Sequence, residues 1–320
     1  MPEHRRTRDA APHPVAEEPG KHRPDARTTV GIITRDRRES LVRTLDHLGA
    51  LPERPPVVVV DNGSTDGTAE AVRSHASGAR LLSPGRNTGA MGRNLAVRHA
   101  TTPYVAFSDD DSWWAPGALE AAEALFDRHP RLGLLAARTV VEPDGSDDPL
   151  NAVLAGSPLP AHPDLPGRPV LGFLGCSAVV RRSAFLEVGG YHALLFFGAE
   201  ETLLAYDLAA AGWGVAYEPS LTSHHCPDRG ERPGRSTAVR RNSVLTAWLR
   251  RPVPVALKET AGLLRDGVAA RPGARAALRG AAARLPAALR HRRPLPPSVE
   301  HRVRLLERGA PAGTSGGDDD

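Results

Sequence analysis

The stretch Tyr104-Val-Ala-Phe-Ser-Asp-Asp-Asp-Ser-Trp-Trp114 decides how the rest of this chain is read. Residues 104–107 form a short apolar run, the pattern of a buried strand. The run ends in three consecutive carboxylates, Asp109, Asp110 and Asp111. Like charges crowded at a strand end raise each other's pKa unless a cation sits among them. Hard oxygen ligands packed this way suit Mg²⁺ or Mn²⁺, ions that keep some waters and bind phosphate oxygens of a substrate. In isolation the same three residues also read as a solvated acidic loop. The surroundings choose between the two.

Upstream, strand and helix patterns alternate four times. Residues 29–34 read as a buried strand, followed by a helix through Leu41, Leu45 and Leu48. Residues 57–60, four valines, are apolar on both faces, as central parallel strands are. Their strand ends in Asp61-Asn-Gly-Ser-Thr-Asp-Gly-Thr68, whose glycines permit tight turns and whose Ser, Thr and Asp side chains can cap the next helix. A third strand at 79–82, a loop at 83–89 and a helix over 90–99 lead to the quoted stretch. A helix over 116–129 follows it. This alternation predicts a parallel sheet with crossover helices. Thr34, Asp61 and Asp109 all fall at carboxyl ends of predicted strands, where such sheets bind ligands.

Downstream the pattern is less regular. Residues 132–141 and 170–180 read as strands, and 142–169, rich in Pro, Asp and Gly, as loops. A helix opens near Glu200-Glu201, a short strand covers 214–217, and a helix spans 235–249. From Arg251 to Arg308 there are thirteen Lys/Arg against four Asp/Glu, with Ala/Leu/Arg helices at 256–269 and 274–289. These helices read either as a solvated appendage or as a surface docking on an anionic membrane. Aromatics are nearly absent there, which argues against nucleic acid as a partner.

The expected organisation is a disordered tail at 1–27, a main domain at 28–250, a basic helical extension at 251–308 and a second disordered tail at 309–320. The chain of 320 residues carries a formal net charge of +4 and two cysteines, Cys176 and Cys226. Two cysteines offer neither a disulfide framework nor a CxxC metal site, which fits a reducing compartment. The N-terminal residues lack an apolar signal core, and no run reaches the ~18 apolar residues of a membrane span. High Arg, Ala and Pro content fits a GC-rich bacterial source. The expected location is cytoplasmic, with peripheral contact on the inner face of the cell membrane.

These motifs, taken in order from residue 29 to about 225, resemble the family 2 glycosyltransferases of the GT-A fold. Ile32-Ile-Thr-Arg-Asp36 stands at the family's first strand and turn, and Val57 to Thr68 is close to its Asp-Asx-Gly-Ser-Thr-Asp-Gly-Thr turn. Asn87-x-Gly89 and Arg93-Asn94 are similar to its Asn-x-Gly…Arg-Asn helix. Asp109–Asp111 stands at its metal-binding D-x-D, Gly189-Gly190-Tyr191 at its acceptor-side Gly-Gly-Phe/Tyr, and Glu200-Glu201 at its Glu-Asp. Two positions depart from the pattern: Glu201 replaces the usual Asp, and Leu203 stands where an acid is common.

The resemblance implies an α/β GT-A fold with a mainly parallel sheet. It also implies inverting transfer of a sugar from a nucleotide diphosphate to an acceptor hydroxyl on a glycan, lipid-linked carrier or natural product. Mn²⁺ or Mg²⁺ would be held by Asp109 and Asp111, with His224 or His225 adding a ligand; the sequence does not choose between the histidines. Thr34, Asp36, Asp61, Arg86, Asn87, Arg93, Asp109 and Asp110 would bind the nucleotide-sugar. Glu201, with Glu200 second, would be the base. Gly190 and Tyr191 would lie on the acceptor side. Trp113 or Trp114 would floor the sugar site, and Phe196 and Phe197 would wall the acceptor pocket. Other classes fit less well. A same-fold binding or scaffold protein without activity is the alternative, kept open by Glu201 and Leu203. A nucleotidyltransferase needs a Gly-rich triphosphate loop with a Lys, absent from Gly31-Ile-Ile-Thr-Arg-Asp36. A glycoside hydrolase needs neither nucleotide nor metal cluster.

Overall fold

The structure, a computed structural model, describes residues 25–228 and 234–309. The two expected tails therefore lie outside the described residues except for positions 25–27 and 309. The first half follows the alternation read from the sequence: β1 (Thr28–Thr34), α1 (Arg38–Gly49), β2 (Val57–Asp61), α2 (Thr68–Ser74), β3 (Arg80–Leu82), α3 (Met91–His99) and β4 (Tyr104–Asp109). These strands lie in the order β3-β2-β1-β4, all parallel. Order reverses between β1 and β4, and the crevice outside such a switch point is where open sheets bind ligands. The register places Thr34 opposite Asp61 and Ile33 opposite Asp109. Three strand ends thus converge on one crevice.

The second half departs from simple alternation. It runs β5 (Ser112–Trp114), α4 (Ala118–Arg128), β6 (Leu132–Val141), β7 (Ser146–Asp147), α5 (Pro149–Ala155), β8 (Arg168–Pro169), β9 (Ala178–Arg181), α6 (Arg182–Glu187), α7 (Glu200–Ala210) and β10 (Gly214–His225). β9 inserts antiparallel between β4 and β6, so the sheet continues β4-β9-β6-β10-β5. β10 pairs parallel with β6 and antiparallel with β5, which sets His225 across from Ser112.

Several boundaries differ from the sequence reading, each for a physical reason. The strand expected at 170–180 shrinks to Ala178–Arg181, because Gly172 and Gly175 interrupt it and Gly175 is pressed against side chains of the site. The 142–169 segment is not all loop. Asp148 caps α5 by accepting from the Leu150 amide at 2.8 Å, with Pro149 in the first turn. The short strand at 214–217 extends to His225 through an irregularity between Glu218 and Thr222, around Pro219.

Two cores cover the sheet. One contains Leu41, Leu45, Leu48, Leu119, Phe126 and Trp114; the other contains Val97, Phe107, Phe185, Tyr191, Leu204 and Leu208. Beyond β10 come α8 (Arg235–Arg250), α9 (Val253–Val268), α10 (Ala274–Arg290) and α11 (Pro297–Gly309). Ala274, Ala277 and Ala281 let α10 approach Val244 and Leu263 closely. Leu195, Leu203, Leu245, Leu249 and Ala288 join this helical layer to α7. Arg251 is buried between Glu300 at 2.7 Å and Glu307 at 2.6 Å, which fastens α11.

Candidate active site

β4 delivers the three aspartates, which divide between two cations: Asp109 faces Arg93, and Asp110 and Asp111 share Arg37. Asp109 pairs with Arg93 of α3. Asp110 accepts from the Thr34 hydroxyl at 2.9 Å and is ion-paired with Arg37 Nε at 2.7 Å. Asp111 meets Arg37 at 2.8 Å on one oxygen and His225 Nε2 at 3.4 Å on the other. Arg37 also pairs with Asp228. Burial pushes the Asp110 carboxyl up to about 7; Arg37 opposes the shift, and Asp111 and Asp109 add to it. Arg37 was missed in the sequence reading. Its signal was there: a cation three residues past the end of β1, in the turn that leads into α1.

The two histidines separate. His224 Nδ1 lies 2.8 Å from Glu142 Oε1, and its ring stacks on Trp113. His225 turns to Asp111 instead. Burial works against charging the His225 ring, but the Asp111 contact and the surrounding carboxylates raise its pKa overall. Among the described residues no three or more His, Cys, Asp or Glu side chains close into a metal site. Asp111, buried and also paired with Arg37, and His225 form a two-residue pair instead, one hard oxygen and one imidazole. That donor set fits a divalent ion whose remaining positions belong to water and phosphate oxygens.

The second carboxylate set opens α7. Glu200 is buried; Glu201 is partly exposed, and its Oε1 lies 2.8 Å from where a Cβ on Gly175 would stand. Burial raises both carboxyls. Arg93 opposes this in both, while for Glu201 the neighbouring Glu200 adds to it. The preceding loop is strained: Phe196, Ala199 and Gly198 have φ of 64°, 61° and 93°. Left-handed backbone costs an L-residue roughly 1–2 kcal/mol. Long-range bonds hold it. Ala90 N donates to Phe196 O at 2.8 Å. Asn242 of α8, fully buried, donates to Leu195 O at 2.9 Å, to Phe197 O at 3.0 Å and to Gly198 O. Arg241 adds a bond to Leu195 O at 2.9 Å. Nothing local in the sequence signals Asn242.

Arg93 joins the two sets. It is buried, ion-paired to Asp109, with its guanidinium carbon 5.7 Å from the Tyr191 ring centre and 6.0 Å from that of Phe107. A Cβ on Gly175 would stand 3.2 Å from its Nη2. The fields of Asp109, Glu201 and Glu200 keep it charged despite burial.

The remaining candidates divide by exposure. Asp61 is buried and accepts from the Ser64 amide at 2.9 Å and hydroxyl at 2.6 Å, which fixes its turn. Asp36 is exposed and accepts from the Thr65 amide at 2.7 Å, lacing the turn after β1 to the turn after β2. Asn87 accepts from the Gly89 amide at 2.9 Å within its own loop, and Arg86 is exposed beside it. Asn62, not singled out beforehand, ties the two loops by accepting from the Thr88 hydroxyl at 2.7 Å and donating to Gly89 O at 3.2 Å.

The aromatic expectations need correction. Trp114 is fully buried in the first core and offers no face to a sugar. Trp113 is sandwiched: His47 stacks on one side at 3.9 Å between ring centres, and His224 at 5.6 Å. Gly190 and Tyr191 act as a clamp. Asn94 accepts from the Tyr191 amide and donates to its carbonyl, each at 2.9 Å, while Gly190 has no Cβ to strike Asn94 or Phe185. The Tyr191 ring itself is buried. Phe197 is half-buried, and Phe196 is 41 % exposed above Gly89.

Comparison with known proteins agrees with this geometry. The family model described as Glycosyl transferase family 2 matches residues 29–189. An N-acetylglucosaminyl-diphospho-decaprenol L-rhamnosyltransferase of Mycobacterium tuberculosis is 31% identical over 267 residues, covering 70% of this chain and 86% of that one. A mannosyltransferase of Pyrobaculum calidifontis, solved with GDP-Man and Mn²⁺, superposes with a TM-score of 0.53 at 25% identity, over 92% of this chain and 83% of its own. GalNAc-T7, solved with UDP, GalNAc and Mn²⁺, shares the fold at a TM-score of 0.56 and 15% identity, over 71% of this chain and 48% of its own. The chain has the GT-A fold and belongs to glycosyl transferase family 2, enzymes that transfer a sugar from a nucleotide-sugar donor.

Proposed function

We propose that the chain transfers a sugar from a nucleotide diphosphate to the hydroxyl of a lipid-linked acceptor, with inversion and with a divalent metal. The carrying observation is the arrangement of two carboxylate sets around one buried cation: Arg93 lies between Asp109 on one side and Glu200 and Glu201 on the other, and Asp111, two residues beyond Asp109, meets His225. Asp111 and His225 would hold Mn²⁺ or Mg²⁺, which when bound stabilises charge on the leaving diphosphate. Mn²⁺ in two GT-A neighbours supports that choice. Thr34 holds Asp110 in place, and the laced turns at Asp36 and Asp61 wall the nucleotide side.

Glu201 takes the proton of the acceptor hydroxyl. Its partial exposure favours it over buried Glu200, and its raised pKa gives it the affinity a base needs near neutral pH. The lipid-linked acceptor follows from the relative matched over 86% of its length, whose name specifies a diphospho-decaprenol. No helix among the described residues is long and apolar enough to cross a membrane. The reading places contact with such an acceptor at the inner face of the cell membrane.

The reading is tested by incubating the protein with nucleotide-sugars, Mn²⁺ and a short-chain polyprenyl-diphosphate sugar, and following the anomeric signal of the product by NMR. A product of inverted configuration, lost on chelation, is expected. Retained configuration, or turnover unchanged by chelator, would overturn the inverting or the metal-dependent part respectively.

A further inference from the structure

α9 has two apolar faces, and only one is packed. Ala256, Leu263 and Gly267 face α8 and α10, and Thr260 on the same side accepts from the Trp248 indole at 3.0 Å. Val253, Leu257, Leu264 and Val268 are 47, 54, 46 and 85 % exposed. They make up half of the large apolar side chains exposed among the described residues, the others being Val153, Leu186, Phe196 and Leu289. At about 100° per residue, these four and Ala261 fall within a sector of about 80°, beside the packed face. A soluble helix normally spends that sector on polar residues.

The charges on α9 are sorted around the ridge. Lys258 and Arg265 border it, while Glu259 and Asp266 lie on the far side of the helix. Neighbouring α10 carries four arginines, Arg275, Arg279, Arg284 and Arg290, and no acid. An apolar ridge flanked by cations matches the surface of an anionic bilayer: side chains enter the acyl boundary and the cations meet headgroup phosphates. Position adds to this. α9 packs on α8, and α8 holds the 195–198 loop that aims Glu201. The ridge therefore belongs to the helical layer that borders the acceptor side.

The geometry points to α9 as an interfacial helix, docking the enzyme on anionic phospholipid through Val253, Leu257, Leu264 and Val268. The basic face of α10 contributes attraction, and α9 contributes insertion. This deepens the reading of a membrane-borne acceptor, and its test needs no donor, so failure of transfer and failure of docking are separately visible.

The test is flotation of the full chain with phosphatidylcholine vesicles and with vesicles containing phosphatidylglycerol, for wild type, Leu257→Glu/Leu264→Glu and Lys258→Gln/Arg265→Gln. The substituted residues are exposed, and a melting curve checks that the fold is kept. Wild type should float with the anionic vesicles and weakly with the neutral ones. The leucine variant should bind at least roughly tenfold more weakly, as loss of two inserted side chains implies. The charge variant should lose less, with the remainder less sensitive to salt. Binding unchanged in the leucine variant, or no flotation of wild type, overturns the proposal. So does a wild-type dimer that the leucine variant converts to monomer, since the ridge would then be covered by a second copy.

Discussion

The two sides of this crevice, proposed for donor and for acceptor, are built by different means. Of the groups proposed for the donor side, Asp61, Asp66 and Asn87 are fixed within their own turns, by Ser64, Thr68 and Gly89, while Asp36 reaches the next turn at Thr65 and Asp110 is held by Thr34 of β1. Glu200 and Glu201, proposed for the acceptor side, follow a strained loop held by residues far away in sequence, above all Asn242, which reaches back 45 residues to Phe197. Local turns can be preserved through motif alone. A loop with left-handed Phe196 and Ala199 needs external bonds to stay where it is. The contrast predicts that donor binding survives most acceptor-side changes, while catalysis does not.

The largest effect expected is from Glu201→Gln. Nucleotide binding should persist, and transfer should fall by roughly 10²–10⁴-fold, as for loss of a general base. Glu200→Gln should cost much less; the reverse ranking would move the base to Glu200. The pair of variants His225→Ala and His224→Ala comes next. The first should weaken Mn²⁺-dependent nucleotide binding and the second should not, because His224 is engaged with Glu142 and Trp113. Calorimetric Mn²⁺ titration in the presence of nucleotide would read this, and equal losses would break the assignment.

Asn242→Ala tests the acceptor side alone. It removes the bonds to Leu195, Phe197 and Gly198 carbonyls, leaving buried acceptors unpaired at about 1–3 kcal/mol. The melting temperature should drop and kcat should fall, with donor KM nearly unchanged. A variant that instead loses donor affinity would erase the distinction between the two sides. Gly175→Ala is subtler. Its Cβ would stand 2.8 Å from Glu201 Oε1, the movable end of a side chain, so the fold should tolerate it while kcat falls.

How much of this was legible follows the same division. Strands 57–60 and 104–107 were readable because they are apolar on both faces, and their carboxyl ends marked the crevice. The three aspartates announced a charged site, but not how they divide among partners, since that depends on Arg37, Arg93 and His225 arriving from other elements. β9 was misjudged in extent because its apolar run continues through Gly172 and Gly175, where tertiary approach of Glu201 overrides strand propensity. The tryptophans illustrate the limit of residue type. Aromatics beside a carboxylate cluster suggest sugar stacking, and only packing reveals that Trp114 is core and Trp113 is already stacked.

The smallest effect concerns pH. The α7 carboxyls are raised from 4.5, so the folded state favours their protonated form. Their contribution to stability is complete below 4.5 and is lost as pH rises through the raised values. The metal-free protein should therefore melt lower at alkaline than at mildly acid pH, and Glu201→Gln should flatten that slope. A slope unchanged in Glu201→Gln would assign it to other groups, with buried Asp110 the next to test.

The most direct test of the two-sided site is thermal shift of wild type and His225→Ala against UDP, GDP, dTDP and CMP, each with and without Mn²⁺. Wild type should be stabilised by one nucleotide only when Mn²⁺ is present, and His225→Ala should lose that metal-dependent increment. Stabilisation by nucleotide alone, or an increment untouched in His225→Ala, would contradict a metal held between Asp111 and His225.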